Sequence, residues 1–204
     1  MIMLVVVTSC RQIEPLVEQE LSQGPEFTAE IESFDPETKT VLDGNSVVWS
    51  AADQIVVFQG TAKADKYQVD EDCIGTKEGI FAIVAKGETS SAENFNANIA
   101  IYPYQDGLTV TPTSATEYQI TGLTIPSTQT YTANTFANGS FLMAAITDGL
   151  TDHTLSFRNL CGALKLQLKG TAKIKSIEFK GNDGEPLSGA AAITIYNDGS
   201  SPTL

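Results

Sequence analysis

The sequence predicts an all-β protein, and three features support this class. Apolar and polar residues alternate at period two in several short runs, beginning with Phe27-Thr-Ala-Glu-Ile31. Turn-forming residues such as Asp43-Gly44-Asn45 separate the runs at short intervals. No long stretch shows the periodicity of an amphipathic helix. Alternation favours half-buried strands, and frequent turn residues favour short strands joined by tight loops.

The length and composition suit one or two domains. The chain has 204 residues, of which 42% are hydrophobic and 18% charged, so it can bury a sizeable core. We divide it into a lipoprotein signal remnant over residues 1–10, a tether over 11–25 and an N-terminal β domain over 26–150. Residues 151–204 supply further strands, which either complete this domain or begin an incomplete second one.

The N-terminal residues indicate export and lipidation. Residues 1–9 (MIMLVVVTS) are apolar, but a transmembrane helix needs about 20 such residues. The run matches the end of a secretory signal peptide, and Val7-Thr8-Ser9-Cys10 matches a bacterial lipobox. Cys10 is therefore the predicted lipidation site, and two acyl chains there would anchor the protein stably in a membrane. A buried first strand is the alternative interpretation of this run.

The predicted centre of the core is Trp49, the only tryptophan in the chain. It lies in residues 46–58 (SVVWSAADQIVVF), where β-branched and aromatic residues favour strands on both sides of a short polar break. An indole buries a large apolar area, so its surroundings form a natural core. Two earlier strands are predicted at Phe27–Ile31 and at residues 38–42, with a turn at Asp35-Pro36 between them.

The later strands are predicted from further apolar runs. Residues 79–84 (GIFAIV) are continuously apolar, which predicts a strand buried on both faces. Residues 164–168 (LKLQL) alternate, so one face of that strand is expected in the core, and residues 174–179 (IKSIEF) follow with Ile177 and Phe179 in phase. The remaining predicted strands cover residues 66–69, 97–104, 108–110, 118–125, 141–146, 154–157 and 191–196.

The charge argues against polyanionic partners. The formal net charge is −13, and duplex nucleic acid repels a protein of that sign. Anionic membrane surfaces are disfavoured for the same reason. We expect no nucleic-acid partner, and we interpret the acidity as a source of solubility outside the cell.

The three cysteines cannot form a complete disulfide framework, because their number is odd. If Cys10 carries lipid, Cys73 and Cys161 remain as a pair. Cys161 lies in an apolar run, which favours a buried, inert thiol over a disulfide.

No catalytic or metal-binding constellation is found, and we expect neither enzyme activity nor a cofactor. His153 is the only histidine, and no G-x-S-x-G nucleophile motif accompanies it, so we interpret it as an exposed loop residue. Asp70-Glu-Asp72 partly matches a calcium loop, but Ile74 replaces the next ligand and no bidentate glutamate follows. No metal site is therefore predicted.

Three tyrosines are the candidate ligand-binding residues. Tyr102, Tyr104 and Tyr131 are aromatic side chains that could stack on a sugar ring. Aromatic residues near strand ends also pack at the rim of a core, and this alternative stays open.

The order of several motifs is similar to that of a known family. The motifs are FTAEI from Phe27, KTVL from Lys39, VW at Val48 followed by DQIVVF from Asp53, IYPY from Ile101, QTY from Gln129 before FLMAA from Phe141, and LSFRNL from Leu155 before LKL from Leu164. In this order the chain resembles the fimbrillin-like (fimbrial subunit, Mfa-like) surface lipoproteins of anaerobic Gram-negative bacteria.

The resemblance implies a fold and a role. The fold would be a transthyretin-like β-sandwich of Greek-key, mostly antiparallel topology, possessed by proteins exported as lipoproteins to the outer membrane and cell surface. Polymerising members of the family are cut by a protease after an arginine, which frees a groove for a partner's strand. The arginines of this chain are Arg11 and Arg158.

Two functional hypotheses follow. The first is a non-enzymatic, lipid-anchored fimbrial subunit or adhesin-like module that assembles by β-strand addition with other subunits or with surface ligands. The second is a glycan-binding surface lipoprotein of a nutrient-uptake system, which would use the exposed tyrosines.

Overall fold

The computed structural model describes residues 24–32, 47–87, 94–131, 136–137, 139–162, 166 and 168–204. Within these residues the chain forms ten strands and one 3₁₀ helix (Glu71–Cys73), which confirms the all-β class. The strands are β1 (Phe27–Ile31), β2 (Gln54–Gln59), β3 (Ala64–Val69), β4 (Glu78–Ala85), β5 (Asn98–Tyr102), β6 (Thr109–Pro112), β7 (Glu117–Ile125), β8 (Met143–Ile146), β9 (Thr154–Asn159) and β10 (Gly189–Tyr196).

Seven of the described strands close into a barrel in the order β1-β4-β3-β2-β5-β8-β9. Strands β2, β3 and β4 form an antiparallel meander, and β1 lies beside β4, which is a Greek-key arrangement. The other three described strands form an antiparallel sheet in the order β10-β7-β6. Among all these pairings, only that of β1 with β9 is parallel.

The three-stranded sheet packs against one side of the barrel, and this produces two cores. The inner core fills the barrel and includes Trp49, Phe81 and Phe157. The outer core lies between the barrel and the second sheet and includes Phe58 and Ile120. Strands β2, β5 and β8 form a wall that the two cores share, and both of their faces are buried. Two-sided burial explains why their sequences are nearly continuous apolar runs.

The prediction that residues 79–84 are buried on both faces is wrong. In β4 the side chain of Phe81 and the backbone at Gly79 are buried, whereas Ile80 and Val84 are exposed. The strand contributes to the inner core and has no residue in the outer core. It lies on the part of the barrel that the second sheet does not cover, so its outer face meets solvent.

Trp49 lies in the inner core as predicted, but it is not part of a strand. Residues 47–50 form no strand, and β2 begins at Gln54 after a turn. The Trp49 amide donates to the Thr76 carbonyl at 2.9 Å, and the Trp49 carbonyl accepts from the Gly75 amide at 2.8 Å. The backbone therefore finds its partners in a loop. The indole is held by edge contacts to the rings of Phe81, Tyr102 and Phe157.

Of the two alternating runs after residue 163, the run at 174–179 does not form the predicted strand, whereas most of the run at 164–168 lies outside the described residues. Residues 168–180 have no strand and are exposed throughout. Ile177 and Phe179, expected in phase on one face, are 50% and 53% exposed. Alternation produces a strand only where a neighbouring ladder is available, and the described part of the chain pairs none with this segment.

Residues 151–204 contribute β9 and β10. Strand β9 pairs with β8 and β1, and β10 pairs with β7, so both strands hydrogen-bond to strands from residues 26–150. The signal remnant, most of the tether and Cys10 lie outside the described residues, as does the strand predicted at 38–42.

Replacing Gly79 by alanine tests the packing of the inner core. A Cβ at this position would lie 2.8 Å from Cδ1 and 2.9 Å from Nε1 of Trp49. We expect Gly79→Ala to lower the free energy of unfolding by about 1–3 kcal/mol, because the indole must shift inside a packed core. Denaturant unfolding followed by tryptophan fluorescence measures this loss.

The matched control is Gly149→Ala, since no atom lies within 4 Å of the added Cβ there. This variant should stay within about 0.5 kcal/mol of the wild type. Equal stabilities for the two variants would contradict the close packing at Gly79.

Candidate functional site

The candidate site is the slot between β4 and β9 that β1 occupies, which we call the β1 slot. On one side β1 pairs antiparallel with β4, so that Thr28 lies opposite Ile80 and Glu30 opposite Glu78. On the other side it pairs parallel with β9, in register from Thr28 with Thr154. A strand with partners on both edges presents no free edge to solvent, and β1 is the strand that closes the barrel.

Backbone hydrogen bonds extend beyond the regular ladders at both ends of the slot. The Thr28 amide donates to the His153 carbonyl at 2.9 Å, and the Glu32 amide donates to the Phe157 carbonyl at 2.9 Å. The Glu32 carboxylate accepts from the Asn159 amide at 3.0 Å. The parallel ladder with β9 is therefore fastened before its first residue and after its last.

The side chains of β1 alternate between the inner core and solvent. Phe27, Ala29 and Ile31 are buried, whereas Thr28 and Glu30 are exposed. The slot therefore accepts apolar side chains at alternate positions. The slot demands little of the sequence of the strand that occupies it, because backbone hydrogen bonds hold that strand and three apolar side chains fill the inner core.

Phe27 contacts two aromatic rings at the entrance of the slot. Its ring centroid lies 5.3 Å from that of Tyr67 and 5.2 Å from that of His153, both with edge-to-face geometry. His153 is exposed, as predicted for a loop histidine, but the contact with Phe27 was not predicted. The residue helps to position β1 through its ring and its carbonyl.

Tyr67, a residue of the inner core, also belongs to a partly buried polar network. Gln59 Nε2 donates to the Tyr67 hydroxyl at 2.9 Å and to Asp65 Oδ2 at 3.1 Å. Asp65 Oδ1 accepts from the Gly87 amide at 2.9 Å and lies 3.1 Å from Lys63 Nζ. Burial raises the pKa of Tyr67, the Asp65 charge raises it further, and the Gln59 bond opposes them. The Asp65 carboxylate has three partners within the chain, Gln59, Gly87 and Lys63, which indicates a structural network.

Asn98 positions the connection that leads into β9. Its side-chain amide donates to the carbonyls of Gly149, Leu150 and Asp152, the last at 2.8 Å. Its backbone amide donates to Thr147 Oγ1 at 2.8 Å. Asn98 is buried, and these bonds hold the β8–β9 turn against β5. This β8–β9 turn places His153 at the edge of the β1 slot.

Tyr102 is packed into the protein at the end of β5. Its hydroxyl donates to Asp53 Oδ1 at 2.9 Å, and its ring lies 5.6 Å from that of Trp49. Burial raises the pKa of Tyr102, and the negative charge of Asp53 raises it further. The ring therefore packs on the core, and the hydroxyl is already bonded within the chain.

Tyr104 is half-buried and also bonded within the chain. Its hydroxyl donates to the Asp106 carboxylate, and this bond is the main reason that its pKa is raised. Lys66 Nζ lies 4.2 Å from the centre of its ring, in cation–π geometry. One face of this ring is thus occupied by a lysine.

Tyr131 differs from the other two predicted tyrosines, because it is 88% exposed. No ring contact among the described residues joins Tyr131 to Tyr102 or Tyr104. The structure packs Tyr102 against the inner core and Tyr104 against the outer core, and Tyr131 lies in the segment after β7.

The acidic triplet Asp70-Glu-Asp72 caps a helix, and the two described cysteines are free thiols. Asp70 Oδ1 accepts from the Asp72 amide at 2.9 Å and so caps the 3₁₀ helix. Within the described residues, no three histidine, cysteine or acidic side chains converge on a point where a metal ion could bind. Cys73 and Cys161 are free and partly buried, without a disulfide between them.

Comparisons with protein-family models, with curated proteins and with solved structures find no match to this chain. Among the described residues, no helix is long and apolar enough to cross a membrane. The resemblance to fimbrillin-like lipoproteins stays a prediction that depends on the ordered motifs.

The hydrogen bond between Tyr102 and Asp53 gives a prediction about alkaline pH. Because the pKa of Tyr102 is raised in the folded state, this group stabilises the fold fully below pH about 10 and loses that contribution as pH rises towards the folded pKa. Tyr102→Phe should lower the free energy of unfolding by about 1–2 kcal/mol at pH 7, because the Asp53 carboxylate loses a donor. Its stability should then fall less steeply above pH 10 than that of the wild type.

Denaturant unfolding between pH 7 and pH 11 measures both effects. Tyr131→Phe is the control at pH 7, where removing an exposed hydroxyl should leave stability unchanged. Identical slopes above pH 10 for Tyr102→Phe and the wild type would be inconsistent with the raised pKa.

Proposed function

We propose that the protein is a non-enzymatic cell-surface lipoprotein, a fimbrial subunit or adhesin-like module that assembles through β-strand addition. In this proposal Cys10 carries the lipid that anchors the chain in the outer membrane, and the strands described above belong to a transthyretin-like β-sandwich. The lipobox and the ordered motifs support the anchor and the family. The position of β1 supports the mode of assembly.

The observation that carries the proposal is that the barrel is closed by its first described strand. β1 is inserted between β4 and β9 by two separate ladders. If β1 left, both neighbours would become edge strands, and the sites of Phe27, Ala29 and Ile31 would open to solvent. A strand from a second molecule with apolar residues at alternate positions could then fill the β1 slot.

The arginine positions favour displacement of β1 over proteolysis as its route of release. Arg158 lies inside β9, so cleavage after it would cut one wall of the β1 slot. Arg11 precedes β1 by many residues, and a cut there would leave β1 attached to the barrel. An incoming strand would instead compete with β1 for the same two ladders.

A reversible disulfide across β1 and β4 tests this proposal. Ile80 directs both backbone groups away from β1, to Cys73 Sγ and to the Asp70 amide. Thr28 and Ile80 therefore form a non-hydrogen-bonded pair, whose Cα atoms lie about 4.5 Å apart in such ladders, within disulfide reach. We expect oxidised Thr28→Cys/Ile80→Cys protein to exclude a labelled peptide with the sequence of residues 24–32, and the reduced protein to take it up. Gel filtration after incubation at elevated temperature measures the bound label.

The matched control locks the second sheet instead. Thr109 and Thr121 face each other across β6 and β7, with their Oγ1 atoms 2.8 Å apart. Oxidised Thr109→Cys/Thr121→Cys protein should take up the peptide as the wild type does. Both pairs are placed in a background with serine at positions 10, 73 and 161. Equal peptide uptake by the oxidised and reduced forms of Thr28→Cys/Ile80→Cys, or no uptake by any protein, would eliminate strand exchange at the β1 slot.

Glycan binding is a second candidate, and the exposure of Tyr131 is the observation that favours it. A free aromatic face can stack on a sugar, whereas the hydroxyls of Tyr102 and Tyr104 are bonded within the chain. If the protein binds polysaccharide, Tyr131→Ala should abolish its retardation in affinity electrophoresis, and Tyr104→Ala should retain most of it. Retardation that survives Tyr131→Ala, or that is absent in the wild type, would reject binding through this residue.

A further inference from the structure

Residues 168–180 are exposed and include several large apolar side chains. We call them the basic segment, because they also carry four lysines. Every residue in the segment is exposed, and none belongs to a strand. Leu168, Ile174, Ile177 and Phe179 are each between 50% and 56% exposed. Soluble proteins seldom leave several large apolar side chains together in solvent, and such a patch marks an interaction surface.

The charge of the basic segment is opposite to that of the rest of the chain. The segment carries four lysines at positions 169, 173, 175 and 180, and one acidic residue, Glu178, for a net charge of +3. The other residues carry eight basic and 24 acidic side chains, for a net charge of −16. Glu178 pairs with Lys180 at 3.3 Å, so the neighbouring lysines keep the segment positive.

A complementary surface lies on the same molecule. The outer side of β4 and the adjoining 3₁₀ helix expose four carboxylates, those of Asp70, Glu71, Asp72 and Glu78. We call this surface the acidic face. Lys77 is the one basic residue within it, and its side chain is partly buried.

Apolar side chains lie among the carboxylates of the acidic face. Ile74 and Ile80 are each 43% exposed. The Asp70 amide donates to the Ile80 carbonyl at 2.8 Å, and the Ile80 amide donates to Cys73 Sγ at 3.4 Å. These bonds hold the 3₁₀ helix beside β4, so acidic and apolar groups form one continuous surface.

We propose that the basic segment of one molecule binds the acidic face of a second copy of this chain. The lysines would pair with the carboxylates, and the exposed leucine, isoleucine and phenylalanine side chains would cover Ile74 and Ile80. Both surfaces are exposed at once in the monomer, so the segment does not cover the acidic face of its own molecule. The contact joins two different surfaces, and repeating it produces a ring or an open chain of molecules.

This inference goes beyond strand exchange and does not depend on it. β1 stays in its slot when the basic segment docks, because the acidic face lies on the outer side of β4. The disulfide lock replaces Ile80, which the acidic face also contains, but its readout, uptake of the peptide of residues 24–32, measures only the strand exchange. Charge reversal leaves Thr28 and Ile80 in place and tests only the docking. Failure of either proposal is therefore distinguishable from failure of the other.

Charge exchange between two variants tests the docking. The first variant carries Lys169→Glu, Lys173→Glu and Lys175→Glu, and the second carries Glu71→Lys, Asp72→Lys and Glu78→Lys. Each variant alone presents two surfaces of the same sign and should associate at least about tenfold more weakly than the wild type. An equimolar mixture should recover association, because the acidic segment of the first then meets the basic face of the second. Sedimentation velocity over a series of concentrations measures all three.

The controls are Lys86→Glu and Asp148→Lys, which reverse exposed charges outside both surfaces and should leave association unchanged. Wild-type association should also weaken between about 50 mM and about 500 mM salt. A wild type that stays monomeric at every concentration overturns the proposal. So does a mixture that fails to recover association, which would point to another anionic partner for the basic segment.

Discussion

The barrel depends on one strand satisfying two different ladders at once. β1 must meet β4 in antiparallel register and β9 in parallel register while its alternate residues enter the inner core. Neither ladder alone would exclude water from the inner core, because seven strands with one ladder missing form an open sheet. The bonds at Thr28, Glu32 and Asn159 fasten both ends of this strand. Closure is thus achieved by the first of the described strands.

Much of the strand content could be predicted from local pattern, but the burial of each strand could not. The run at 79–84 and the strands of the shared wall are all apolar in sequence, yet only the latter are covered on both faces. The difference depends on where the second sheet packs, which is a property of the whole chain. The run at 174–179 shows the converse case, since its alternation is that of a strand but no described ladder receives it.

The candidate site shows the same limit for contacts that are distant in sequence. The pairing of β1 with β9 joins residues more than a hundred positions apart, and no turn residues in the sequence predict it. The aromatic pattern did predict that Tyr102 and Tyr104 lie at the end of a strand. Asp53, which accepts the hydrogen bond from the Tyr102 hydroxyl, lies 49 residues earlier. No local pattern therefore indicated that this hydroxyl is bonded within the chain. Sequence patterns therefore locate aromatic residues better than they locate free aromatic surfaces.

The shared wall has a consequence for how the molecule loses its structure. Val57 on β2 faces the inner core while Val56 and Phe58 face the outer core, and Ala100 and Ile101 divide in the same way on β5. Losing either core strips one face of the same strands, so the barrel and the second sheet should unfold as one cooperative unit. The amides of the wall would then exchange with solvent only on global unfolding, whereas those of the basic segment, which belongs to no strand, exchange without it. The order of hydrogen exchange would thus separate the strands that unfold together from the exposed segment outside both cores.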